Sequence, residues 1–218
     1  MVWLPLVGID ELLPKIREIA QSLLVSDSTG HDWQHVERVY NLCIRLGEAE
    51  GAKLDVLGVA AILHDVGLKD EFETGRDHAN AGAESARSLL LELGVRSEFA
   101  ESVCYAIGMH RFGGGVAAET LEARVLQDAD RLDALGAIGI ARAFAYGGAR
   151  GAPIYDPGEV PEAYDPFKIR STITHFYEKL LKVKDSMNTE SARKIAEGRH
   201  AFMLEFLERF RSEMAGER

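Results

Sequence analysis

Between Leu54 and Leu63 runs a stretch in which Asp55 is the only charged side chain, and it leads directly into His64 and Asp65. A helix apolar on nearly every side belongs in a protein core. The His–Asp pair is therefore expected at the end of a buried helix, where a bare carboxylate is costly without a partner. Two further segments carry the same kind of group: Gly30-His31-Asp32-Trp33-Gln34-His35 and Gln127-Asp128-Ala129-Asp130-Arg131. His35, His64, Asp65 and Asp130 together offer nitrogen and oxygen ligands for a divalent metal. Such a set leaves coordination positions open for water and a phosphate oxygen.

The rest of the chain reads as helix. Ile9, Leu12, Leu13, Ile16, Ile19, Ala20 and Leu23 recur at three and four residues, predicting an amphipathic helix to about Leu24. Ser26 to Gly30 reads as a turn, and a second helix buries Val36, Val39, Tyr40, Cys43, Ile44 and Leu46 before stopping at Gly51. Lys69 to Asp77, charged and carrying Gly75, reads as a surface loop. Helices are expected from Ala79 to Leu93 and from Ser97 to His110, with Gly94 between them. Gly113 to Gly115 reads as a loop, and one helix is expected from about Thr120 to Tyr146. Gly147 to Pro166 is rich in proline, glycine and acid, a loop of the length that serves as a lid or stays disordered. It is expected to lie over the mouth of the site. Two C-terminal helices follow, from about Ile169 to Lys184 and from Ser191 to Met214. With no repeat, low-complexity tract or strand hairpin, the expectation is an all-α fold in a single domain spanning 1–218.

Charge narrows the partners. The chain carries 25 Lys plus Arg against 35 Asp plus Glu, net −10, which argues against bulk binding to nucleic acid. A small phosphorylated ligand remains compatible, because a metal and a few local cations reverse the field inside one pocket. Cys43 and Cys104 stand alone and read as small buried residues. The run Met1 to Val7 is too short for a secretory signal, and no apolar stretch approaches the ~20 residues of a membrane span. A cytoplasmic protein is expected, of undetermined oligomeric state.

Among the histidines, His31 and His35 share a helix face, but His31 sits at the helix start, where Asp32 suits an N-terminal cap. His35, one turn in, is the better ligand. Asp128, Asp130 and Asp133 crowd one helix and repel one another unless a metal or arginines lie nearby.

The ordered set of His35, His64-Asp65 and Ala129-Asp130-Arg131-Leu132 resembles the HD-domain superfamily of metal-dependent phosphohydrolases. The likeness implies an HD-domain helical bundle, motif core about 28–140, with C-terminal helices 167–214 packed on it. It implies His35, His64, Asp65 and Asp130 as metal ligands, with Mn²⁺, Mg²⁺ or a similar transition metal as cofactor. Binuclear members use two added histidines, an order matched by His78 and His110. These two are candidates for a second metal, or else for phosphate binding or acid catalysis. The Gly-Tyr-Pro signature of the cyclic-dinucleotide branch is absent after His110. Over most of the chain, including Thr174-His175-Phe176-Tyr177-Glu178-Lys179, the sequence is similar to the bacterial YedJ/YpgQ-like HD proteins. That likeness implies hydrolysis of a phosphate ester or anhydride, in a nucleotide, with a nucleoside triphosphate releasing pyrophosphate as one form.

In such a reaction His64 and Asp65 act at the metal, and Asp65 or Asp128 orients the attacking water. Arg38, Lys69, Arg111, Arg131, His175, Lys179 and Lys182 are the candidates for binding substrate phosphate. His175, Lys179 and Lys182 are expected on one face of the next-to-last helix. The alternative is a metal-containing module that binds nucleotide for regulation without turnover.

Overall fold

The computed structural model describes residues 9–24, 30–111, 117–165 and 168–217. The N-terminal run, most of the turn before Gly30, the three glycines and Pro166 lie outside the described residues. Among the described residues every regular element is helical, and none of the helices is long and apolar enough to cross a membrane. The chain forms two compact units, one through Ala129 and one from Asp130 onward that also takes in Gly30.

The first unit is organised around the apolar stretch. Helix α1 (Ile9–Leu23), α2 (Trp33–Glu50) and α3 (Leu54–Leu63) follow the sequence pattern closely. Every residue of α3 from Val56 to Leu63 is buried, and α3 packs against α1, α2 and α6 (Ser97–Gly108). Each fully buried Leu, Ile or Val there contributes about 1.5–3 kcal/mol. Helix α5 (His78–Glu92) lies on α6.

The expected surface loop after the His–Asp pair is instead a helix, α4 (Leu68–Thr74). It buries no residue, so it shows no apolar stripe in the sequence. Asp70 and Glu71 in its first turn complement the helix dipole, and Gly75, at φ +75°, ends it.

The expected helix from Thr120 to Tyr146 is two: α7 (Leu121–Asp133) and α8 (Gly136–Ala149). Gly136 takes φ +71°, a left-handed conformation that no helix interior accommodates. Helix α8 also runs through Gly147 and Gly148, into the stretch expected as loop.

The second unit is built on α8, α9 (Thr172–Glu178), a 3₁₀ helix (Leu180–Ser186) and the 25-residue α10 (Glu190–Met214). The expected helix from Ile169 to Lys184 is thus broken at Lys179, whose backbone (φ −130°, ψ −62°) leaves the helical region. Tightening to three residues per turn aligns Leu180 and Val183, both buried. Phe144, Phe176 and Phe206 stack in the core of this unit at 5.9–6.2 Å between centroids.

Residues 150–165 and 168–171 form a strap folded back on α9. Carbonyls of Pro153 and Ile154 accept from the N–H groups of Thr172 and Ile173, at 2.9 and 3.0 Å. Those are the orphan donors of a helix start. The Glu159 carboxylate accepts from the Ser171 N–H, while Arg170 reaches Glu162 at 2.7 Å and the buried Glu178 at 3.2 Å.

Candidate metal centre

Local rules place each ionisable group of the first unit. Asp32 caps α2 and accepts from the His35 N–H at 3.0 Å, which fixes His35 in the first turn, fully buried. At the end of α3, His64 continues the helical backbone. Its Nδ1 donates to the Ala61 carbonyl at 2.8 Å, so its Nε2 carries the lone pair. His110, just past α6, repeats the arrangement, with Nδ1 2.6 Å from the Ile107 carbonyl. His78 opens α5 after its cap Asp77, and its Nδ1 meets a Glu71 carboxylate oxygen.

The His–Asp turn reaches His78 because residue 67 is glycine. A Cβ on Gly67 would lie 2.2 Å from the His78 carbonyl oxygen and 2.5 Å from the Gly82 nitrogen. No side chain can occupy that gap without moving backbone.

The result is a row of imidazoles around one carboxylate. The Nε2 atoms of His35 and His64 are 3.2 Å apart, as are those of His78 and His110. Asp65 lies between the pairs. Its Oδ2 is 3.3 Å from His64 Nε2 and 3.4 Å from His35 Nε2, and its Oδ1 is 3.7 Å from His110 Nε2. Oδ2 is buried and has no hydrogen-bond partner. A carboxylate oxygen facing an imidazole lone pair is repulsive unless a cation sits between them. Atoms that each ligate an ion at about 2.1 Å are about 3.0–3.4 Å apart, which matches the spacings around Oδ2. Asp65, His78 and His110 form a second such group. The residues present therefore fit a divalent metal. Burial alone would raise the Asp65 pKa; with a proton in the ion's place, the charge of His64 and hydrogen bonds from His110 and His35 outweigh it and hold the carboxyl well below its usual range.

The HD domain family model matches residues 32–135. YpgQ of Bacillus subtilis is 40% identical over 206 residues, covering 93% of each chain. The chain belongs to the HD-domain superfamily. The crystal structure of Bacillus subtilis YpgQ in complex with ADP superposes with a TM-score of 0.73 at 34% identity, over 94% of this chain and 100% of that one. An HD-superfamily hydrolase from Bacillus thuringiensis gives 0.77 at 40% identity, over 95% and 99%. This HD protein is accordingly a metal-dependent phosphohydrolase with an all-α fold.

The remaining residues expected at the HD site are distributed as follows. Asp130 is half-buried in α7, and its charge acts on Lys179. Asp128 is fully buried two residues earlier, so its side chain leaves the helix about 200° away from that of Asp130. Asp133 answers to an arginine, pairing with Arg142 at 2.7 Å. Arg131 donates to the Ser186 carbonyl, and Arg111 binds Glu71 and Asp77. Lys69 is exposed beside Glu73, and Arg38 is half-buried on α2.

His175 and Lys179 remain close at the end of α9, where the Lys179 N–H donates to the His175 carbonyl at 3.0 Å. Lys182, beyond the break, is exposed. The shared face of His175, Lys179 and Lys182 expected from a continuous helix is not formed. Sequence reasoning missed Glu71, which orients His78 from inside a charged run, and Tyr146 and Tyr164, which flank His175.

Proposed function

We propose that this enzyme hydrolyses a phosphate ester or anhydride of a nucleotide, and that His35, His64, Asp65 and Asp130 hold its catalytic divalent ion. The observation that carries the reading is the buried, unbonded Oδ2 of Asp65 facing two imidazole nitrogens. The ADP bound by the YpgQ structure supports a nucleotide as substrate. A bound divalent metal lowers the pKa of water and polarises a phosphoryl oxygen.

The chain's own groups do the rest. His64 is held by the Ala61 carbonyl in the tautomer that presents Nε2 to an ion. Asp65, ionised, accepts a hydrogen bond from the attacking water and aligns it. Asp128, fully buried in α7, is the alternative residue for that alignment. Lys179 sets an ammonium beside Asp130, where it neutralises phosphate oxygens as the transition state develops. Glu71 fixes His78, so that His78 and His110, with Asp65 Oδ1, offer a second cation seat. For a nucleoside triphosphate the water oxygen bonds to the α-phosphorus, the bond to the bridging oxygen breaks, and pyrophosphate leaves.

The test is metal analysis of the purified protein joined to a phosphate-release screen over nucleotides with Mn²⁺ or Mg²⁺, with and without coupled pyrophosphatase. Release seen only with the coupling enzyme identifies pyrophosphate as product. Metal and nucleotide binding without any turnover would replace this reading with a regulatory module.

A further inference from the structure

Asp130 opens the main stretch of the second unit, and the three residues after it are each tied to a different element of that unit. Arg131 donates to the Ser186 carbonyl at the end of the 3₁₀ helix. The Leu132 carbonyl accepts from the Arg199 guanidinium on α10. The buried Asp133 carboxylate accepts from Arg142 on α8 at 2.7 Å. These three residues end α7, and the last turn of a helix is where fraying starts.

The ties oppose different motions. Side chains two residues apart leave a helix about 200° from each other, so the bonds of Arg131 and Asp133 lie on nearly opposite sides and resist rotation of the turn. The Leu132 carbonyl points along the axis, and its bond resists sliding. Two glycines clear the way for the arginine stems. A Cβ on Gly136 would lie 3.0 Å from Arg199 Cγ, and one on Gly30 would lie 2.8 Å from Arg142 Cγ. The Leu132 carbonyl already accepts from the Leu135 N–H at 3.0 Å, so Arg199 is not needed to satisfy it. What the guanidinium adds is a fixed point.

We propose that Arg199, with Arg131 and Arg142 beside it, is a positioning residue for Asp130. The role rests on Asp130 being a ligand of the catalytic ion, as proposed above. A metal ligand serves only when it is held within about 0.5 Å of its working position. Asp130 lies three residues from the end of α7, so the set of the last turn governs where its carboxylate stands. The three bonds fix that turn before the ion arrives. Arg199 thus acts on metal affinity from α10, through the backbone of Leu132.

The experiment titrates chelator-treated protein with Mn²⁺ by calorimetry and records the electron paramagnetic resonance spectrum of the bound ion. The proteins are the wild type, Arg199→Met, Arg199→Lys and Asp130→Ala. Methionine keeps an unbranched stem against Gly136 and removes the donor, whereas lysine keeps both stem and donor. Losing a group that orients a metal ligand weakens metal binding by about 10- to 100-fold. Arg199→Met should therefore weaken Mn²⁺ by at least ~10-fold and alter the spectrum, while Arg199→Lys stays within ~3-fold of the wild type. Wild-type affinity and spectrum in Arg199→Met, whatever its metal-free Tm, would reduce the clamp to structural support and overturn the proposal. Equal losses in the two Arg199 variants would overturn it too, since the bond to the carbonyl would not be what matters. Wild-type Mn²⁺ affinity in Asp130→Ala would instead overturn the reading of Asp130 as a ligand, and this role with it.

Discussion

His35 and His64 face each other through their Nε2 atoms at 3.2 Å, with the unbonded Oδ2 of Asp65 within 3.4 Å of both. A cation relieves that crowding, so folding and metal binding are coupled. Saturation at a hundredfold over Kd adds about 2.7 kcal/mol, worth roughly 5–10 °C of Tm in a chain of this size. Adding Mn²⁺ to chelator-treated protein should raise Tm by that order. His64→Ala and Asp65→Ala should abolish the rise, metal content and turnover while far-ultraviolet dichroism stays helical. Full metal occupancy in both variants would refute the ligand assignment.

Gly67 gives a test that touches no ligand. A methyl there collides with the His78 carbonyl and the Gly82 nitrogen, and overpacking of this kind costs about 1–3 kcal/mol. Gly67→Ala should lower Tm and reduce metal content together, because the turn carrying Asp65 is displaced from α5. Gly148→Ala, where an added Cβ meets nothing within 4 Å, should raise stability by up to about 1 kcal/mol. Equal midpoints for the two variants would show that the close approach is not what holds the turn.

The contrast between those glycines explains what was legible in the sequence. Helix α3 and its terminal pair stood out because burial on all sides leaves an unbroken apolar run, and α2 because Asp32 and Gly51 bracket it with cap residues. Helix α4 was hidden because, burying nothing, it has no stripe. The breaks lie where Gly136 takes a positive φ and where the Lys179 backbone leaves the helical region, neither of which apolar periodicity encodes. Within the site, His35, His64 and Asp65 were visible as costly groups beside apolar stripes. Glu71 was not, since one carboxylate in a charged run looks like any other until the fold sets it against His78.

His175 makes stability pH-dependent. Its pKa falls from the ordinary 6.5 to about 4 in the folded protein, through burial and then the charge of Lys179. The unfolded chain binds the extra proton first, so stability is unaffected above pH 6.5 and is lost as pH falls from 6.5 to 4. The loss amounts to roughly 3 kcal/mol. Denaturant midpoints of the wild type and His175→Asn should therefore diverge over that window, with the wild type falling faster. Parallel pH profiles would show that His175 titrates normally.

Glu178 anchors the strap through Arg170, and both side chains are largely buried. Removing one partner of such a pair costs about 3–5 kcal/mol. Glu178→Ala should accelerate proteolytic cutting within 150–170 while leaving metal content intact. If the strap closes over bound substrate, nucleotide plus metal should slow cutting in the wild type and protect the variant less. Cutting at one rate with and without saturating ligand would exclude closure.

Lys179 separates a phosphate clamp from an ordinary surface lysine. Its ammonium is half-buried; desolvation lowers its pKa, and the charge of Asp130 opposes that shift. If Asp130 is given to the metal as proposed, the Lys179 ammonium beside it is placed to meet a phosphate oxygen. Lys179→Ala should therefore slow nucleoside triphosphate turnover by at least ~10-fold, about 1.4 kcal/mol in the barrier, with metal content unchanged because the ammonium is no ligand. Lys182 lies past the helix break and exposed, so Lys182→Ala should stay within about 2-fold of wild type, inside the ~0.5 kcal/mol expected of surface changes. Steady-state kinetics on the two single variants and the double variant decide the matter: equal losses in the single variants would return the clamp to a shared lysine face, and wild-type rates in all three would remove it from this end of α9.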